Sequence, residues 1–177
     1  MATKLFALLF SLVAVASGYV ALGLIPAIVF TFGFLGGYVL WLLIPSNASY
    51  FSIKIPLFLT LALFVVHKIE ERTMNFFPAL SEITGVPVPD MSSPLVYLLY
   101  ATAIAWLLIP FLLKRQHPLG YYFAWTFFAS MGITELAHFV FPFFLDQPYG
   151  YFPGMASVLF LAPLAWWGIY RLARNRI

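Results

Sequence analysis

Apolar stretches long enough to cross a bilayer follow one another along almost the whole chain, and this leaves few folds open. Six can be drawn: Leu5 to about Leu24, Ala27 to Ile44, about Ile55 to Phe77, Leu95 to Leu113, Leu119 to about Leu145, and Met155 to Tyr170. Each is near the length needed to span about 30 Å of hydrocarbon, where every backbone polar group must be satisfied within a helix. The sequence therefore predicts an all-α, polytopic transmembrane bundle of six spanning helices, forming a single membrane domain over residues 1–177. Residues 1–45 are expected to form an N-terminal helical hairpin, and residues 55–170 a four-helix core. Only 8% of residues are charged and 63% are hydrophobic, against about a quarter and about half in ordinary soluble domains.

The remaining charges sort by side. With a cytoplasmic amino terminus, Lys4, Lys54, Lys114, Arg115, Arg171, Arg174 and Arg176 all fall inside. The opposite loops carry Glu82, Asp90 and Asp146 and no basic residue, as the positive-inside rule requires. Both termini are expected in the cytoplasm and the protein in the cell (inner) membrane. Lys4, the run Leu5 to Val13 and Ala14-Val15-Ala16 also fit a cleaved signal peptide, but the apolar character continues to Ile44, as a double-spanning hairpin demands. The net charge of +3 is too small and too scattered for nucleic acid. With no cysteine, disulfides, thiolate ligands, iron–sulfur clusters and thiol nucleophiles are excluded.

Two polar clusters break this pattern. His67, Lys68, Glu70, Glu71 and Arg72 interrupt the third stretch, and Glu135 with His138 interrupts the fifth. A charge at the centre of a spanning helix costs roughly 2.5–3.5 kcal/mol, so these residues need partners. At about 1.5 Å per residue, His67 lies roughly 18 Å from the inner edge and Glu135 roughly 24 Å, so the clusters share a depth in the outer half of the bilayer. Glu135 and His138, three apart, share a helical face. His67, Glu70 and Glu71 lie within an arc of about 100° at 100° per residue, which admits either glutamate to the site.

Neutral imidazoles and carboxylates converging between helices suit zinc, iron or manganese. The expected metal ligands are His67, Glu70, Glu135 and His138, with Glu71 as general base and Lys68 or Arg72 as its charge partner. The same groups suit metal-free acid–base chemistry, an ion-pair knot between Lys68, Arg72 and the two glutamates, or less naturally a bis-histidine haem. His117 reads as a loop histidine, and Ser130 is not in a Gly-x-Ser-x-Gly elbow. No His-Glu-x-x-His and no phosphate-binding glycine loop occurs.

His67-Lys68-Ile69-Glu70-Glu71, read with Glu135-Leu136-Ala137-His138, resembles the HXXEE family of small membrane proteins. Asn75-Phe76-Phe77-Pro78 is similar in kind to the stretch after that family's motif. Tyr151-Phe152-Pro153-Gly154-Met155 looks like the aromatic-Pro-Gly approach to its last helix. The resemblance covers about Leu57 to Tyr170 and implies that His67, Glu70, Glu71 and His138 form one site; it implies no substrate. A more distant similarity is to sterol-isomerase-like bundles, which shuttle protons with intramembrane His and Glu. The sequence thus points to a metal-dependent enzyme acting on membrane lipids or another lipophilic small molecule. A metal-free isomerase, a small proton-coupled transporter and a scaffold stand as alternatives, and the Pro-rich Ser81–Ser93 connection is a candidate lid.

Overall fold

The computed structural model describes residues 1–174, so Arg176 lies outside the described residues. In chain order the helices are α1 Ala2–Leu22, α2 Leu24–Leu43, α3 Tyr50–Thr73, α4 Phe76–Thr84, α5 Pro94–Lys114, α6 Pro118–Gly132 and α7 Met155–Arg174. A π-helical turn at Thr31–Leu35 interrupts α2, and a 3-10 turn at Ala105–Leu108 interrupts α5. Among the described residues no strand occurs. Five helices, α1, α2, α3, α5 and α7, are long and apolar enough to cross a membrane.

The stretch expected to be the fifth of six spans behaves differently. Its α-helix stops at Gly132, and the chain continues as 3-10 turns over Thr134–Phe139 and Phe141–Phe144. At about 1.5 Å per residue α6 covers only some 22 Å. The break has a tertiary cause: the indole N–H of Trp166, on α7, donates to the Gly132 carbonyl at 2.6 Å. Beyond it Ile133 leaves helical geometry, at φ −124° and ψ −53°.

Helix α6 is the centre of the bundle. Every residue from Tyr122 to Gly132 is buried, which explains why its sequence is apolar all round. It packs on α2, α7, α1 and the end of α5, while α3 lies along α7. Tyr122, Trp125, Phe127 and Phe128 fill the core, and two hydrogen bonds there join polar groups across helices. Ser11 Oγ meets Tyr122 Oη at 2.8 Å, and the Trp106 indole donates to Thr126 Oγ1 at 3.2 Å. The outward faces of the long helices carry Leu5, Leu9, Ile28, Ile55, Phe58, Ile104, Leu107 and Phe160, all largely exposed. Apolar surface this extensive requires lipid around it.

Small residues bring α2 against α6. A Cβ at Gly37 would lie 2.6 Å from the Thr126 Cα, and one at Gly33 would collide with the Ser130 and Thr134 hydroxyls. These glycines stand four apart, the spacing that lets two membrane helices approach closely.

Local chemistry marks the helix starts. Ser49 accepts from the Ser52 N–H and Ser93 from the Val96 N–H, both at 3.3 Å. His117 caps α6 by accepting from the Leu119 N–H at 3.2 Å. After α3 the chain turns through Asn75 at φ 61°, and Pro78, just past the expected third stretch, falls within the first turn of α4. Residues Val86 to Pro89 of the expected lid lie against Ala21 and Leu22 at the end of α1.

Replacing Gly37 by Val should lower unfolding free energy by about 1–3 kcal/mol through overpacking. Gly36→Val should be close to neutral, because the nearest atom to a Cβ there is 3.8 Å away. Thermal unfolding in detergent compares the two.

Candidate metal centre

Three segments build the site. Helix α3 supplies His67, Lys68 and Glu71, the 3-10 turn after α6 supplies Glu135 and His138, and the turn before α7 holds both imidazoles from behind. In a 3-10 helix residues three apart are eclipsed, so Glu135 and His138 project side by side. The two imidazoles meet edge to face with centroids 4.8 Å apart. Phe76, Phe141 and Phe152 surround His138 at 5.2–6.0 Å.

Four ligand atoms face one another. His67 Nε2 lies 3.1 Å from Glu71 Oε1 and 3.2 Å from Glu135 Oε2. His138 Nε2 lies 3.4 Å from Glu71 Oε1 and 3.1 Å from Glu135 Oε2. One ligand atom from each of these residues falls within 4.8 Å of all the others. The imidazoles are sealed, with side chains 0% and 2% exposed, and the carboxylates nearly so at 10% and 12%.

Both far nitrogens have oxygen partners. His138 Nδ1 stands 2.5 Å from the Pro153 carbonyl, which can only accept, so Nδ1 carries a hydrogen. His67 Nδ1 stands 2.8 Å from Ser157 Oγ. With the Ser157 hydroxyl hydrogen on the Gly154 carbonyl, 3.1 Å away, His67 Nδ1 donates to Ser157 Oγ. In each neutral ring, Nε2 is then a bare lone pair aimed at two carboxylate oxygens. Such an arrangement is repulsive unless a cation lies between the four atoms or each ring takes a second proton.

The distances favour the cation. Charge-assisted N–H···O bonds run about 2.7–2.9 Å, as Lys68 Nζ to Glu71 Oε2 does at 2.7 Å. Each Nε2 instead stands 3.1–3.4 Å from two oxygens; His138 Nε2 has hydrogen-bond geometry to Glu135 Oε2 at 3.1 Å, whereas His67 Nε2 has no hydrogen-bond partner. Ligands about 2.0–2.1 Å from a tetrahedral ion are separated by about 3.3 Å. The four N–O distances lie near that value and all four atoms fall within 4.8 Å of one another, so this donor set could hold a divalent ion.

The structure distributes the expected residues unevenly. His67, Glu135 and His138 converge, and they do so with Glu71. Glu70 lies outside the group: its carboxylate accepts from the Ala156 N–H at 3.0 Å, the Ser157 N–H at 2.8 Å and the Tyr151 hydroxyl. Partial burial of the Tyr151 phenol and the adjacent carboxylate push its pKa up to about 12, so it remains a donor. Lys68 bridges the second oxygens of the two site carboxylates, reaching Glu135 Oε1 at 3.9 Å, with its side chain 40% exposed. Arg72 is exposed and does not join the four. Spacing on α3 and the fifth stretch did not single out Ser157, the Pro153 carbonyl or Gly154. Their only advance signal was the Pro-Gly element itself.

No family model, curated protein or solved structure matches the chain. The geometry alone therefore carries the functional reading.

Gly154 is the tightest point. Its φ is +98°, and a Cβ there would come within 2.6 Å of His138 Nδ1 and 2.8 Å of His67 Cε1. Gly154→Ala should destabilise the protein by about 1–3 kcal/mol from backbone strain alone, and should displace both rings. A lowered unfolding midpoint together with shifted imidazole NMR resonances would register both effects.

Proposed function

We propose that His67, Glu71, Glu135 and His138 hold one divalent ion (zinc, iron or manganese) inside a membrane enzyme that acts on a lipophilic substrate reached from the bilayer. In this reading the short α6 and its 3-10 extension make a sixth crossing, and both termini are cytoplasmic in the cell (inner) membrane. The resemblance to the HXXEE family is part of the same proposal. The observation that carries it is the presentation of each Nε2, its ring anchored at Nδ1, to two carboxylate oxygens at once.

A bound ion would supply Lewis acidity to a polarised oxygen of the substrate. The chain's own residues do the rest. The imidazoles would fix the ion's position, and the carboxylate oxygens of Glu71 and Glu135 that face them would balance its charge. Their other oxygens face Lys68, where Glu71 Oε2 can accept a proton from substrate and Lys68 balances the charge. Glu71 thus combines the base role expected of it with that of ligand, and Lys68 rather than Arg72 is the charge partner. With neutral imidazoles, Glu71, Glu135 and Lys68 carry a net charge of −1, which a divalent ion turns to +1. The loaded site favours a lipid whose reacting group carries an electron-rich oxygen.

A metal-free acid–base isomerase is the second reading. It is favoured by the same four contacts if both imidazoles are doubly protonated against the two carboxylates. Elemental analysis separates the readings. Protein purified without chelators should carry close to one divalent ion per chain, and His67→Ala/His138→Ala should carry none. Wild-type protein free of metal, and active after chelator treatment, would overturn the metal proposal.

A further inference from the structure

Adjacent glutamates on α3 point in different directions and touch different parts of the molecule. Glu71 turns toward the two Nε2 atoms, whereas Glu70 turns toward the start of α7. That helix has no capping side chain of its own: the residue before Met155 is Gly154, and Pro153 precedes it. The first free N–H groups of a helix need acceptors, and Glu70 provides them from another helix. Its Oε2 takes the Ser157 N–H at 2.8 Å, and its Oε1 takes the Ala156 N–H at 3.0 Å together with the Tyr151 hydroxyl. One carboxylate thereby ties down both sides of the Pro153-Gly154 turn.

That turn and the first residues of α7 also contain both oxygens behind the imidazoles. The Pro153 carbonyl receives the His138 Nδ1 proton, and Ser157 Oγ receives that of His67. Ser157 is held twice, by its backbone N–H on Glu70 and by its hydroxyl on the Gly154 carbonyl. Outer hydrogen bonds of this kind orient ligating imidazoles and fix which nitrogen is free.

We propose that Glu70 is a positioning residue of the metal centre. By holding the start of α7, it fixes the Pro153–Ser157 turn, whose carbonyl and hydroxyl aim both imidazole lone pairs inward. This rests on the metal reading above. The paired glutamates of the motif then divide one task, Glu71 facing the ion and Glu70 orienting the ligands from behind.

Cobalt(II) titration of metal-depleted, detergent-solubilised protein tests it, with the dissociation constant and the visible d–d spectrum as separate readouts. Glu70→Gln keeps the size of the side chain but sets an amide N–H against a backbone N–H. It should weaken cobalt binding by about 10- to 100-fold, the usual effect of losing such a partner, and should alter the spectrum. Ser157→Ala removes the His67 acceptor while sparing both backbone N–H bonds to Glu70, and should produce a spectral change of the same kind. Because Glu70 acts on His67 through Ser157, the double variant should lose less than the product of the single losses. A Glu70→Gln protein that melts earlier yet binds cobalt with unchanged affinity and spectrum would overturn the proposal. Should Glu70→Gln fail to fold, Ser157→Ala decides alone, an unchanged spectrum counting against it. Wild-type protein that takes up no cobalt would defeat the metal reading itself, a result distinguishable from failure of the Glu70 role.

Discussion

Both imidazole Nδ1 atoms are held by oxygens at the start of α7, and the chemistry of the site follows from that. With the Pro153 carbonyl and the Ser157 hydroxyl occupied, each Nε2 lone pair has only the Glu71 and Glu135 carboxylates to face. Buried anions and lone pairs confronting one another cost several kcal/mol unless positive charge lies among them. Lys68 supplies part of that charge, but from one side only, through the outer carboxylate oxygens. The inner oxygens and both nitrogens remain directed at a common point.

The bundle is organised to hold that point steady. Helix α6 is wholly surrounded by protein, and the glycines of α2 allow it to be gripped closely. Its abrupt end at Gly132, taken by the Trp166 indole, converts the following residues into a 3-10 turn that aligns Glu135 with His138. The same helix that ends α6 also begins beside the site, where Glu70 caps it. Helix α7 thus couples the shape of the core to the aim of the imidazoles.

Much of this was legible in the sequence, and the remainder was hidden for identifiable reasons. Apolar length alone announced the membrane helices, and charges stranded in apolar stretches announced His67, Glu71, Glu135 and His138. The choice between Glu70 and Glu71 was not legible, because both lie within the arc that faces the fifth stretch. The start of α7, a partner more than eighty residues distant in the chain, is what separates them. The shortening of α6 was equally concealed. Nothing local to Gly132-Ile133 demands a break, and the hydrogen bond responsible comes from Trp166, more than thirty residues further on. Ser157, ninety residues from His67, carries no sequence signal of the contact its hydroxyl makes with that ring.

X-ray absorption spectroscopy at the edge of the bound metal examines the coordination most directly. The account predicts four light-atom neighbours from the protein at about 2.0–2.2 Å, with the outer-shell multiple scattering of two imidazole rings. A spectrum fitted by oxygen alone, without imidazole scattering, would contradict it.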